Sequence, residues 1–403
     1  MSQQGPILIV SSGGRPSFAA ALDETKLFPV VEADWRDAAR AVEQLQPGAV
    51  LASSDGIDGA ALGTLAKQIA TREPYLPLIV VDSQAKLPDN AVPFAYSDDH
   101  PERLLARISA ALRVRSLHAT VMRRLDPPRR IAISDIDPAR DATVLLIGRG
   151  GCYPALSVAL GERMGVVGAL SIEASARHLN TRDIDGVVLA DGFTPRVVDA
   201  FLTVLTEDAR FRNLPVVVIS GNARAAYELP NLEIVAADPA RVATSALPMV
   251  HQHAFEVHLS RTLRSIDADG LIDARTGLLT RAAFERDLAT AVHQSESRGG
   301  GLSVARFAFD PAHPRAHFDG ARIISRLMRQ SDFGVAQDDG SVFIVFAETD
   351  LRNAQMISRR LSAVIRHTGH GRRDARSEPV VTVATLLPND SAKALLGRLG
   401  DGA

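Results

Sequence analysis

The apolar positions of the first 125 residues fall in short runs separated by helically spaced stretches. Pro6-Ile7-Leu8-Ile9-Val10 ends in Ser11-Ser12-Gly13-Gly14 and reads as a buried strand entering a turn. Phe28-Pro29-Val30-Val31, Ala49-Val50-Leu51-Ala52 and Leu78-Ile79-Val80-Val81 read as further strands. Asp37 to Leu45 and Asp58 to Arg72 have helical spacing, and Pro101 to Leu117 closes the unit as a long amphipathic helix. Strands alternating with helices predict a parallel sheet covered on both faces. Residues 126–140 are polar, basic and proline-containing and read as a linker. The pattern then repeats over residues 141–265, with strands at Thr143-Val144-Leu145-Leu146-Ile147, Gly186-Val187-Val188-Leu189-Ala190 and Leu214-Pro215-Val216-Val217-Val218-Ile219. Two such units suggest a tandem duplication. The text changes again in residues 266–403, where a strand-like run, Leu302 to Phe309, is followed by a helix.

Composition narrows the chemistry. The chain has 403 residues, 46% hydrophobic and 23% charged, the balance of a folded protein. A net charge of −2 gives no overall field for nucleic acid or an anionic membrane. No apolar run approaches the roughly 18–20 residues of a membrane span, and no basic segment followed by an apolar run marks a signal peptide, so a cytoplasmic location is expected. The single cysteine, Cys152, excludes an intrachain disulfide and a cysteine-cluster metal site. It has no nearby base in sequence and reads as a packed or idle thiol. His251, His253 and His258 lack suitably spaced acidic partners, so no metal site is expected. Only Lys26, Lys67, Lys86 and Lys393 are lysines, and the other 41 basic residues are arginine.

Both N-terminal units resemble response-regulator receiver domains, in strand rhythm and in Leu214-Pro215-Val216-Val217-Val218-Ile219-Ser220. The resemblance implies doubly wound, flavodoxin-like α/β domains. It also implies an acidic pair for Mg²⁺, an acceptor aspartate, a hydroxyl and a lysine. In the first unit Ser11-Ser12 stand where the acidic pair belongs, and Asp55 is the first acid after the third strand. In the second unit Gly148-Arg149 replace the pair, Asp191 matches the acceptor and Ser220 the hydroxyl, but no lysine occurs between Asp141 and Leu263. Asp191 and Ser220 are therefore expected as vestigial phosphoacceptor positions in folded pseudo-receivers.

Asp273-Ala274-Arg275-Thr276-Gly277-Leu278-Leu279-Thr280 resembles the opening motif of GGDEF domains, which make cyclic di-GMP from GTP. The resemblance implies an α/β, nucleotide-cyclase-like fold for residues 266–403, and a receiver–receiver–GGDEF order for the chain. The resemblance implies a signature hairpin at Asp338 to Val342, and the signature reads here Asp338-Asp339-Gly340-Ser341-Val342. Acids stand where glycines approach the phosphates, and Gly340 and Ser341 where carboxylates hold metal. Ala308 replaces the upstream metal aspartate, and Ala321 a guanine-reading aspartate, although His317 and Gly320 fit the guanine-binding helix. The segment between Asp310 and Arg329 is about eleven residues shorter than the family's, so the loop carrying its guanine-reading asparagine is expected to be missing. These losses predict no catalysis, no Mg²⁺ and no resident cofactor. The family's inhibitory product site, Arg-x-x-Asp, is kept as Arg329-Gln330-Ser331-Asp332, with the second arginine at Arg360. Arginine suits guanine's O6/N7 edge and the phosphodiester, and a carboxylate suits N1/N2. The expectation is a non-catalytic cyclic di-GMP effector, a homodimer that relays to protein partners (signalling or protease-adaptor proteins, at the cell pole), with no nucleic-acid partner. The alternatives are a ligand-free dimerising scaffold, a weak cyclase, or a receiver controlled by phosphorylation.

Overall fold

The computed structural model describes residues 5–12, 14–53, 59–83, 87–124, 141–219, 227, 229–298, 301–310, 314–329, 331–368 and 378–400. The chain divides into two compact units, residues 1–175 with 184–259, and residues 176–183 with 260–403.

The first unit holds two parallel sheets. One contains β1 (Ile7–Ser11), β2 (Val30–Asp34), β3 (Ala49–Ser53), β4 (Leu78–Val81) and β5 (Ala91–Phe94), in the order β2-β1-β3-β4-β5. Its helices are α1 (Ser17–Thr25), α2 (Ala38–Leu45), α3 (Gly59–Ala70) and α4 (Glu102–Arg124). The other contains β6 (Thr143–Ile147), β7 (Gly165–Ala169), β8 (Gly186–Leu189), β9 (Val216–Ile219) and β10 (Leu232–Val235), in the order β10-β9-β8-β6-β7. With these strands come α5 (Tyr153–Gly161), α7 (Pro195–Glu207) and the greater part of α8 (Pro239–Asp267), while α6 (Ile172–Thr181) and the end of α8 include residues of the second unit. Read from their own first strands, both sheets have the 2-1-3-4-5 order of a doubly wound α/β fold. The continuous apolar runs make this possible: Ile7 to Val10 and Val144 to Ile147 are wholly buried, as strands covered on both faces must be.

The sequence reading differs from this fold in detail. The second strand begins at Val30, because Pro29 has no N–H to give the ladder. The closing helix of the first sheet runs on to Arg124, and β5, β7 and β10 were not foreseen. The expected linker, residues 126–140, lies outside the described residues, as do Ser54, Asp55 and Ser220. The expected boundary at residue 265 falls inside α8, an unbroken helix.

Side chains from both sheets enter one apolar cluster, joining Ile9, Leu51, Phe94 and Ile108 to Val144, Val217, Val242 and Met249. At its edge Arg107, 1% exposed, meets Glu233 at 2.8 Å and donates to the carbonyls of Pro230 (2.7 Å) and Pro93 (3.0 Å). Nearby, Phe255 packs against Tyr75 and His118, and Arg113 bonds Glu256 (2.9 Å) and Asn213 (2.9 Å). The second sheet is therefore fixed to the first by both apolar and ionic contacts.

The second unit contains α9 (Arg281–Arg298), β11 (Ser303–Ala308), α10 (Pro314–Leu327), β12 (Phe333–Ala336), β13 (Ser341–Phe346), α11 (Leu351–Thr368), β14 (Val380–Thr385) and α12 (Ala392–Gly400). Its sheet is antiparallel, ordered β12-β13-β11-β14. β12 and β13 form the expected hairpin, with Ala336 opposite Val342 across the turn.

Candidate functional site

In the second unit the chain enters through a self-bonded loop. Thr276 Oγ1 donates to Asp273 Oδ2 at 2.6 Å, and the Arg275 amide to Oδ1 at 3.1 Å. Gly277 takes φ +74°, a conformation open to glycine, and its carbonyl accepts from Ser325 Oγ at 3.0 Å. The Leu279 amide then donates to the Gly334 carbonyl, tying the loop to β12.

Asp338 to Ser341 sit at the hairpin turn between β12 and β13. Asp338 and Asp339 are exposed and Gly340 has φ +81°. Asp339 is occupied locally: Oδ1 accepts from the Ser341 amide (2.9 Å) and hydroxyl (2.6 Å), and Oδ2 pairs with Arg306 Nη2 at 3.2 Å. Desolvation works against its charge, but the Ser341 bonds and Arg306 outweigh it and hold the carboxyl below its ordinary range. A guanidinium thus balances the turn's acid. Val342 is buried in β13. His317 hydrogen-bonds the Ser341 backbone, and burial keeps its imidazole below the usual range. The ring lies between Phe309 and Phe318, with Arg275 stacked 4.0 Å from the Phe318 centroid. Gly320 has no side chain because the Phe309 ring fills that space. Among the described residues, no group of three or more His, Cys, Asp or Glu is placed to hold a metal ion.

The Arg-x-x-Asp residues lie where α10 turns into β12. Arg329 is exposed, and its carbonyl accepts the Asp332 amide at 3.1 Å. Asp332 is 8% exposed. Burial pushes its carboxyl up, opposed by backbone bonds from Ala347 and Arg329 and by the Arg329 charge. Arg360 is exposed on α11, which packs its other face into the core with Ala354, Leu361 and Ile365. The fold so presents two arginines and a backbone-held carboxyl in one unit.

Asp191, expected from the sequence at an acceptor position, lies in the first unit. Asp191 follows β8, and the loop after β6 closes on it. The amides of Arg149 (3.2 Å) and Gly150 (3.3 Å) donate to its carbonyl, and a Cβ on Gly150 would run into its carboxylate. Cys152 Sγ donates to Oδ1 at 2.6 Å. The fold brings Asp191 to Cys152 across 39 positions, a partner that sequence spacing does not show. Desolvation, then this bond to Asp191, pushes the thiol's pKa up. Arg149 lies over the Phe193 ring and donates to the Gly192 carbonyl at 3.2 Å. His253 lies 3.5 Å from Asp185, a two-residue contact and not a metal cluster. A cleft of about 490 Å³ is lined by Asp82, Ser83, Phe94, Glu233, Arg241 and Thr244. It contains none of the residues singled out from sequence, and its Glu233 is committed to Arg107.

No helix among the described residues is long and apolar enough to cross a membrane. No family profile matches the sequence, and no curated protein matches it. Solved structures do. The chain is similar to the GGDEF domain of DgcB from Caulobacter crescentus in complex with c-di-GMP, at 17% identity and a TM-score of 0.29, over 33% of this chain and 86% of that one. It is similar also to the FimX GGDEF domain from Pseudomonas aeruginosa, at 16% identity and a TM-score of 0.29, over 32% and 89%. A sensory box/GGDEF family protein from Caulobacter crescentus is similar at 19% identity and a TM-score of 0.27, over 32% and 93%.

Proposed function

We propose that this protein is a non-catalytic effector that binds cyclic di-GMP through Arg329, Asp332 and Arg360 and relays the bound state to protein partners. The observation that carries this reading is the contrast between two parts of one unit. At the hairpin turn, Asp339 is taken by Ser341 and Arg306, the glycine-320 space is filled by Phe309, and the residue types for metal and triphosphate are missing. Where α10 meets β12, Arg329 stays exposed and Asp332 keeps a backbone-held carboxyl, and Arg360 stays exposed on α11. Those groups match guanine's two hydrogen-bonding edges and the phosphodiester charge. Without a metal carboxylate pair, two GTP molecules would have no counter-charge for phosphodiester formation. In the first unit, Asp191 sits beneath the Gly150 loop and under the Cys152 thiol, which fits a pseudo-receiver better than a phosphoacceptor.

Calorimetry of the full chain with cyclic di-GMP tests the reading. Binding should be seen, and Arg329→Ala should abolish it. No heat from the unaltered protein would sink the effector reading and leave a ligand-free scaffold. Formation of cyclic di-GMP from GTP and Mg²⁺ would sink the non-catalytic part.

A further inference from the structure

α11 has a second face that the nucleotide site does not use. Ala354, Leu361 and Ile365, with Ile357 and Val364 beside them, turn into the core. On the other side Arg352, Arg359 and Arg366 recur every seventh residue. On an α-helix that spacing makes a single row about 21 Å long. All three are exposed, and Met356, 62% exposed, lies alongside. Residues 351–368 contain no Asp or Glu. Arg366 meets Glu378 at 3.2 Å, whereas Arg352 and Arg359 form no ion pair among the described residues. The nearest acid before the helix, Asp350, is used as its cap, accepting the Asn353 amide at 2.7 Å.

A solvated helix face in this same unit looks different. On α9, Arg281 pairs with Glu285 at 3.0 Å and Arg286 with Asp287 at 3.2 Å. Signs alternate there and cancel. On α11 the helix supplies no acid of its own, so Arg352 and Arg359, unlike Arg366, keep a one-sign field that an acidic neighbour would neutralise. Arginine forks bind carboxylates in bidentate fashion, and an exposed methionine adapts to an apolar neighbour. One methionine is too little apolar surface for membrane insertion. The exposed row also carries no aromatic ring on which bases would stack.

We propose that the Arg352–Met356–Arg359 face of α11 docks an acidic segment of a partner protein that presents an apolar residue between its carboxylates. The proposal goes beyond nucleotide binding: Arg352 and Arg359 are not part of the Arg329–Asp332–Arg360 site, so each can fail without the other.

Fluorescence anisotropy of the full chain tests it, with a labelled 15-residue peptide carrying glutamates and leucines at helical spacing. The control is the same peptide with lysine for glutamate. The acidic peptide should bind more tightly, with affinity falling as salt rises. The double variant Arg352→Glu/Arg359→Glu should lose about tenfold or more, and Arg352→Lys/Arg359→Lys a smaller part, because lysine keeps charge without the fork. Cyclic di-GMP binding and the circular dichroism spectrum should be unchanged in both. Equal binding of the two peptides, or an acidic-peptide affinity untouched by charge reversal, overturns the proposal. So does tighter, reversal-sensitive binding of oligo-dT or of phosphatidylglycerol vesicles, which would assign the face to a nucleic acid or a membrane.

Discussion

Arg107 and Arg329 carry the same guanidinium into opposite surroundings. Arg107 is 1% exposed, with Glu233 and two carbonyls filling its fork. Arg329 is exposed next to a buried carboxyl. In the first place desolvation has already been spent on a permanent internal contact, and what remains is geometry that holds two sheets together. In the second the donors are still hydrated, so a ligand can gain from them. The difference between Arg107 and Arg329 lies in how many of their donors the fold has already satisfied.

That contrast breaks most visibly at Arg107. Arg107→Ala would leave Glu233 charged and uncompensated in the core, and should cost about 3–5 kcal/mol in denaturant unfolding. The double change Arg107→Met with Glu233→Leu should recover most of it, since the pair would be replaced by apolar volume. Arg329→Ala should move unfolding by no more than about 0.5 kcal/mol while removing nucleotide binding. If Arg329→Ala were as destabilising as Arg107→Ala, the distinction between the two regions would fail.

The next test acts on the carboxyls. Burial raises the Asp332 pKa, so on acidification this group takes its proton above the ordinary carboxylate range. The neutral acid accepts poorly from guanine N1/N2, so cyclic di-GMP affinity should fall as pH drops through that raised value. Asp332→Asn should weaken binding about ten- to a hundredfold at neutral pH, the cost of a hydrogen bond to a charged group, and should flatten the pH dependence. Calorimetry between pH 4.5 and 7.5 gives both. An unaltered pH profile in Asp332→Asn would remove Asp332 from the site.

A smaller effect concerns the covered acid of the first unit. The Cys152 thiol donates to Asp191 and its pKa is pushed up, mainly by desolvation. A thiol-reactive dye should therefore label folded Cys152 more slowly than the unfolded chain at pH 8, because the thiolate is the reacting form. Asp191→Asn should narrow the gap.

How much of this was legible beforehand depends on where each residue finds its partners. β1, β3, β4, β6 and β8 are continuous apolar runs, and such runs announce buried parallel strands. β10 is hidden by Glu233, a charge in the middle of Leu232–Val235 whose partner Arg107 lies 126 positions away. β5 is hidden by Pro93, tolerated because the strand is at a sheet edge. β7 is short and carries Gly165 and Gly168, so its pattern is weak. Sequence spacing singles out Arg329 and Asp332 only by their distance from the hairpin that β12 and β13 form. Sequence did not reveal that Arg306 pairs with Asp339, that Phe309 fills the space at Gly320, or that Cys152 meets Asp191. Each is a contact between elements distant in the chain, with no local signature.

The finest test of the comparison uses two histidines. His118, in the first unit, accepts the Tyr75 amide on Nδ1 at 2.9 Å and sits edge-on to Phe255, with its pKa lowered chiefly by desolvation. An accepting nitrogen must be unprotonated. The folded pKa lies below the unfolded value of about 6.5, so the unfolded chain binds more protons in the window between them. The stabilisation is complete above that unfolded value and is lost as pH falls through the folded one. His118→Asn offers an oxygen that accepts the Tyr75 amide at any pH. Thermal unfolding from pH 7.5 down to pH 5 should show a smaller drop for His118→Asn than for the unaltered chain. His317 is also held low by burial, yet it hydrogen-bonds the Ser341 backbone, which favours its charged form and opposes the desolvation. His317→Asn should therefore change the pH slope less than His118→Asn. An equal change in both would mean that burial alone, and not the direction of the hydrogen bond, sets the acid sensitivity of the two units.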